Sequence, residues 1–324
     1  MTLPLPVRPA HLLDERPAAA RWLIDGLWAD EAVGIVGGEP KTCKSFLVLD
    51  MAVSVASGSP CLRHFPVTHS GRVLLYAAED SLQVVRHRLE GICHFNNLDL
   101  PQLDIQVITA PALRLDARDD QDRLRQTIDQ LRPRLLLLDP FVRLHRIDEN
   151  ASSDVAAVLA YLRELQRLFH LAVAVVHHAR KAASHLRAGQ ALRGSSEFHA
   201  WGDSNLYLKR KHDNLTLTVE HRAAAGRSDL PLLLQGANDQ LALCMLENPP
   251  APQPPSSTAH EQILDVLAGT NTPVPFAELR KASRIRTETF CKLLAEMQRQ
   301  GKVVKSSSGY QLVSTPTVSL SRSL

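Results

Sequence analysis

Aromatic residues make up only 5% of this 324-residue chain, and no stretch stays apolar for the ~18 residues a bilayer-spanning helix requires. The five cysteines (Cys43, Cys61, Cys93, Cys244 and Cys291) stand far apart with no C-x-x-C among them. That excludes a zinc ribbon or a disulfide framework and fits a reducing compartment. Neither sign of charge dominates: 37 Lys and Arg against 34 Asp and Glu leave a formal +3 at pH 7. Bulk charge therefore does not mark a nucleic-acid partner, and the placement of basic residues has to decide. The first ten residues are rich in proline and carry no apolar segment of the signal-peptide kind. These absences lead us to expect a soluble cytoplasmic protein with no membrane partner.

What is present is 44% hydrophobic residues, enough for a sizeable core. Residues 246–258 read Leu-Glu-Asn-Pro-Pro-Ala-Pro-Gln-Pro-Pro-Ser-Ser-Thr, and five prolines there cannot donate to a helix or a ladder. This linker separates a large domain over residues 21–245 from a small one over 259–313. An N-terminal arm (1–20) precedes them, and a Ser/Thr-rich tail (314–324) with little to bury follows. Within the large domain, apolar runs alternate with helical patterns. Strands are expected at Ala32–Val36, Arg72–Ala77, Ile105–Ile108, Leu135–Leu138, Leu171–Val176 and Ser204–Leu208, and helices at Phe46–Ser57, Ser81–Phe95, Gln121–Leu131 and Val155–Phe169. Several of the strand runs are apolar without alternation, as in strands buried on both faces. The fold class is therefore α/β, a mostly parallel sheet flanked by helices, with Thr216–Glu220 and Leu230–Leu234 as later, antiparallel additions.

Between the first strand and its helix lies Gly38-Glu39-Pro40-Lys41-Thr42-Cys43-Lys44-Ser45, followed by Phe46. Gly38, Lys44 and Ser45 keep the spacing of G-x-x-x-x-G-K-[ST], and Cys43 replaces the last glycine. Triphosphates need many N–H donors converging on a small volume, which a glycine-bearing turn into a helix N-terminus supplies. Residues 38–46 are thus the candidate ATP-binding segment, with Lys44 reaching the β and γ phosphates and the Ser45 hydroxyl on Mg²⁺. Asp139 ends the run Leu135–Leu138, where a carboxylate faces the crevice at the strand C-termini and reaches the metal through water. Glu79 follows the strand ending in Ala77 and is the candidate general base; Asp80 is its rival, although Asp80-Ser81 also reads as a helix N-cap. Cys43 is read as a small, tolerated substitute at a left-handed position, with a reactive thiol as the alternative.

With these residues on the page, the chain resembles the RecA-like ATPases, and among them the branch around the plasmid RepA hexameric helicase. The resemblance rests on an ordered set over residues 20–235: Trp22-Leu-Ile-Asp-Gly-Leu-Trp28, the phosphate loop, Tyr76-Ala-Ala-Glu-Asp80, Asp139-Pro-Phe-Val-Arg-Leu-His145, Asp148-Glu-Asn-Ala-Ser-Ser-Asp154, Val176-His-His-Ala-Arg-Lys181 and Leu192-Arg-Gly-Ser-Ser196. It implies a homo-hexameric ring or a filament with ATP at subunit interfaces. It also implies His178 as γ-phosphate sensor and a cation donated between subunits from Lys209, Arg210 or Lys211, of which Arg210 is the catalytic candidate. Arg193 is a second candidate for that role or for DNA contact. Strand-end histidines bonded to backbone are the alternative for His177 and His178, and their opposite strand faces exclude a shared metal.

Residues 179–196 contain no acid. The resemblance places this stretch on the path of single-stranded DNA, with Arg180, Lys181, Arg187 and Arg193 neutralising phosphates. After the linker, three helices and a two-stranded turn resemble a winged helix whose third helix offers Arg284, Arg286 and Lys292 to duplex DNA, with Lys302 and Lys305 on the wing. The expected function is a DNA-associated ATPase, a RepA-like helicase or another replication or recombination motor. An ATP-switched DNA-binding regulator is the alternative, and a KaiC-like signalling ATPase the third reading.

Overall fold

The computed structural model of the protein describes residues 7–12, 22–178, 197–237, 239–246, 259–270, 272–283 and 287–313. The chain divides into two compact units, Met1–Glu247 and Asn248–Leu324.

In the larger unit, a short antiparallel ribbon of β1 (Trp22–Ile24) and β2 (Trp28–Ala29) precedes the main sheet. Trp28 is fully buried and its Nε1 donates to the Ala32 carbonyl at 3.3 Å, so the ribbon is fixed to the start of β3 (Val33–Gly38). Then come β4 (Val73–Ala77), β5 (Ile105–Val107), β6 (Leu135–Asp139), β7 (Ala172–His178), β8 (Ser204–Lys211), β9 (Asn214–His221), β10 (Arg227–Ala237) and β11 (Gln240–Met245). The nine strands lie in the order β11-β10-β9-β8-β3-β7-β6-β4-β5. From β8 to β5 every pairing is parallel, and β9, β10 and β11 add on antiparallel.

The unbroken apolar runs follow from burial on both faces. Along β7, Val173 and Val175 point into one core, whereas Ala172, Ala174 and Val176 point into the other. The core on the Val176 side receives α1 (Lys44–Ser57) and α2 (Leu82–Phe95) through Leu47, Met51, Val85 and Leu89. The core on the Val175 side receives α3 (Arg118–Leu131) and α4 (Ser152–Phe169) through Leu124, Ile128, Val155 and Leu162. Each such side chain contributes about 1.5–3 kcal/mol on leaving water. A short α5 (Glu197–Trp201) follows β7.

Several elements differ from the sequence expectations: β1 and β2 were not expected, α4 starts at Ser152 and not Val155, and β10 runs from Arg227 to Ala237. α3 starts at Arg118 rather than Gln121, because its first turn holds Asp119 and Asp120, charged residues that suit a helix N-terminus but hide the apolar period. Ser81 alone caps α2, its hydroxyl accepting from Val84 N at 3.3 Å, and Asp80 instead pairs with Arg88. β11 has no counterpart among the expected strands. It lies against α2 so closely that a Cβ on Gly91 would sit 3.0 Å from the Leu241 backbone.

The smaller unit consists of α6 (Ala259–Ala268), α7 (Phe276–Ser283), α8 (Thr287–Arg299) and the antiparallel pair β12 (Val303–Ser306) and β13 (Gly309–Leu312). Its own core joins Ile263, Leu267, Leu279, Phe290, Leu294, Met297, Val303 and Tyr310. Val274 exchanges backbone hydrogen bonds with Tyr310 at 2.8 and 2.9 Å, adding a third short arm to the pair.

Candidate nucleotide site

β3 enters the site at its C-terminal end, at the middle of the sheet. Gly38 has φ 153°, and a Cβ there would lie 2.5 Å from the Leu208 carbonyl oxygen on β8, so only glycine lets the chain turn away at this point. The loop then folds on itself. Thr42 Oγ1 and Lys44 Nζ donate to the Glu39 carbonyl at 2.7 and 2.8 Å. Cys43 precedes α1 in the left-handed conformation, φ 64° and ψ 25°, the backbone a glycine at that position would adopt without strain.

This loop walls one side of a hollow of about 370 Å³, and Glu79, Asp139 and His178 reach it from the ends of β4, β6 and β7. The register explains the convergence: β4 and β6 pair Ala77 with Asp139, and β3 and β7 pair Gly38 with His178. Lys44 is 5% exposed and Asp139 9% exposed. Burial pulls the Lys44 ammonium down to about 8, against the attraction of Asp139 and Glu79. Burial likewise pushes the Asp139 carboxyl up to about 6, opposed by a hydrogen bond from Ser45 and by the charge of Lys44. A carboxylate and a hydroxyl bonded to each other, with the acid held far above its usual range by lost hydration, form an oxygen donor set that a hard divalent cation would stabilise. Ser45 and Asp139 thus fit Mg²⁺.

Not every expected residue stands free in the hollow. Glu79 Oε1 accepts from Arg143 Nε at 3.1 Å. Arg143 lies in a single 3-10 turn, Phe141–Arg143, just after β6. Arg88 also lines the hollow. Its guanidinium binds Asp80 at 2.5 Å and lies 5.2 Å over the Phe46 ring. Neither arginine stands out from the sequence: Arg88 is one of several basic residues on α2, and Arg143 carries no pattern of its own. The neighbouring histidines separate as strand geometry requires. His178 faces the hollow, while His177 is buried on the far face and stacks on Phe198 at 4.1 Å.

Arg210, the candidate cation for a neighbouring subunit, lies beside the phosphate loop, where Nη2 donates to Cys43 Sγ at 3.3 Å. Of the DNA-contact candidates, Arg180, Lys181, Arg187, Arg193, Arg284 and Arg286 lie outside the described residues, and Lys292 is on α8. The arm at 1–20, apart from residues 7–12, the linker from 247 to 258 and the tail from 314 also lie outside them. Among the described residues no helix is long and apolar enough to cross a membrane, and no cluster of His, Cys, Asp and Glu could hold a metal.

A phosphate-type loop between a central strand and its helix, facing an acid at the tip of β6, one strand removed from β3, defines a P-loop nucleotide-binding protein. The family model described as AAA domain (AAA_25) matches residues 2–184, and the chain belongs to that family. Among solved structures, the chain is similar to one described as "The Structure Of A DnaB-Like Replicative Helicase And Its Interactions With Primase". That similarity has a TM-score of 0.52 at 12% sequence identity and covers 66% of this chain and 57% of the other. At that identity the likeness is one of fold: both have the RecA-like core of a large, mostly parallel sheet flanked by helices.

Proposed function

We propose that this protein is a cytoplasmic, DNA-associated ATPase that hydrolyses MgATP in the hollow at the tips of β3, β4, β6 and β7. The observation that carries this reading is the convergence of a buried ammonium (Lys44), a Ser45–Asp139 pair and the Glu79 carboxylate on one cavity of about 370 Å³. Loop N–H groups from residues 38–46 and Lys44 hold the phosphates, and Ser45 and Asp139 hold Mg²⁺, which neutralises phosphate charge when bound. Glu79 takes the proton of the attacking water, and His178 senses the terminal phosphate from the strand tip. Membership of the AAA domain family supports the nucleotide chemistry. For DNA as partner, a RepA-like helicase or replication motor and homo-hexameric assembly, the support is the motif order over residues 20–235 and the acid-free stretch at 179–196.

A second reading, an ATP-switched DNA-binding regulator, is favoured by one observation. Glu79 is paired with Arg143, so the carboxylate is engaged by a cation of its own chain instead of standing open to a water. Purified protein with ATP, with and without single-stranded DNA, separates the two. A motor shows turnover that rises with single-stranded DNA, unwinds a tailed duplex and loses both in Lys44→Ala. A regulator binds duplex DNA sequence-specifically and shows no stimulation.

A further inference from the structure

Behind the strand tips three buried rings meet, those of Phe141, His177 and Phe198. Phe198 stacks on His177 at 4.1 Å between centroids with 23° between the planes, and it meets Phe141 edge-on at 5.0 Å and 86°. Phe141 and His177 complete the triangle at 5.9 Å and 89°. Two of these rings adjoin residues of the nucleotide site. Phe141 stands two residues after Asp139 and opens the 3-10 turn that ends in Arg143, the partner of Glu79. His177 directly precedes His178. The third ring comes from α5, which contributes nothing to the lining of the hollow.

The backbone pairing of β6 with β7 ends at Leu138 and Val175. Asp139 and His178 lie beyond that last pair, and there the rings join the two tips. Aliphatic side chains would bury similar surface but let the tips slide and rotate. Stacked and edge-on rings have preferred angles, so they fix direction as well as distance. The third ring is itself held. Arg163 on α4 donates to the Trp201 carbonyl at 2.6 Å and pairs with Asp203, and Arg222 Nη2 donates to the Ala200 carbonyl. These contacts anchor α5 at its C-terminal end, and Phe198 meets the strand tips at its start.

We propose that Phe198 is a positioning residue for the nucleotide site: it ties the tips of β6 and β7 together past their last backbone pair and so sets where Asp139 and His178 stand in the hollow. The proposal rests on the nucleotide-binding reading above. The phosphate loop, between β3 and α1, takes no part in the ring cluster, so Phe198 governs turnover and not the affinity for a diphosphate.

Phe198→Leu keeps an apolar side chain and removes the ring. With MgATP its kcat is expected to fall by about 10- to 100-fold, the loss that follows a small misplacement of reacting groups, while Kd for MgADP stays within about twofold of wild type. Phe198→Met, unbranched and without a ring, takes its place if the leucine variant does not fold. Ile128→Ala is the comparison. It opens the same core from the last turn of α3, which leads into the start of β6, and is expected to lower the melting temperature with kcat unchanged. Wild-type kcat in Phe198→Leu, an equal loss of MgADP affinity, or the same fall of kcat in Ile128→Ala overturns the proposal. If the wild type binds MgATP without turnover, emission from Trp201, three residues along α5, is compared in MgADP and MgATP. A difference that disappears in Phe198→Leu supports the proposal; no difference in the wild type, or an equal one in the variant, overturns it. An unaltered Phe198→Leu leaves the nucleotide site standing, whereas failure of the wild type to bind MgATP removes both.

Discussion

At the scale of single residues, Cys43 is subject to two opposed effects that can be weighed. A side chain in the left-handed region costs about 1–2 kcal/mol, and Cys43 sits there with φ 64°. Substituting glycine removes that strain but returns about 0.4–1 kcal/mol of conformational freedom to the unfolded chain. The relief of strain outweighs the added freedom, so Cys43→Gly is expected to raise the unfolding free energy by about 0.5–1 kcal/mol in urea titrations. Cys43→Ala keeps the Cβ and therefore the strain, and is expected to show no gain. A gain in both variants would trace the cost to the thiol and not to the backbone. Asp50, farther along α1, is a different residue-scale case. It is fully buried and accepts from Leu62 N at 2.6 Å, and burial pushes its carboxyl up to about 6. A folded acid that is weaker than its unfolded form binds its proton first, so stability is highest below the ordinary aspartate value and falls as pH rises from about 4 to about 6. By pH 7.5 the charged form costs about 3 kcal/mol. Asp50→Asn keeps the acceptor for Leu62 and loses the charge. It is expected to exceed wild type in stability at pH 7.5 and to converge with it near pH 4, read from denaturation midpoints across that range.

At the scale of elements, the legible parts of the fold were those whose burial is symmetrical. Leu135-Leu-Leu-Leu138 and Ala172-Val-Ala-Val-Val176 have neighbours above and below, so composition alone marks them as central strands. The candidate site was legible in part for the same reason, since Asp139 and Glu79 lie at or just beyond the end of such a strand, whereas Lys44, at the start of α1, stood out by its spacing in the loop. β11 was not legible, because Gln240–Met245 is placed by what lies across from it. It meets α2 where Gly91 leaves room, and nothing in the local period of Leu241, Leu243 and Met245 names that partner. The Arg210–Cys43 hydrogen bond was hidden for the same reason, since it needs β8 to lie beside β3, 167 residues away along the chain. The closeness of α2 and β11 is itself testable. Gly91→Leu puts a branched side chain 3.0 Å from the Leu241 backbone, where strand backbone cannot yield cheaply. A decrease in stability of about 2–4 kcal/mol is expected, the range of overpacked and strained cores, with amide exchange accelerated first in 240–245. Near-neutral stability would mean that the strand is held loosely.

At the scale of the whole molecule, charge and chemistry are segregated. Residues 259–313 contain eight Lys and Arg against five Asp and Glu, a net +3 that equals the formal charge of the entire chain. The nucleotide hollow is built wholly from residues of the first unit, and the smaller unit closes its own core from Ile263 to Tyr310. An attraction of the smaller unit for duplex DNA can therefore be weakened without altering the phosphate loop. Lys302 and Lys305 are exposed at and before β12, where the Lys305 ammonium lies 5.8 Å over the Tyr310 ring. Reversing both charges in the full chain (Lys302→Glu, Lys305→Glu) is expected to weaken duplex binding by about tenfold or more at moderate salt. For every phosphate no longer neutralised, the plot of log affinity against log salt should flatten by about one unit. Basal ATP turnover should stay at its wild-type value, because neither lysine belongs to the unit that forms the hollow. If duplex affinity and its salt slope are unchanged, the smaller unit does not face DNA with its β12–β13 edge, and its three helices serve a protein partner instead.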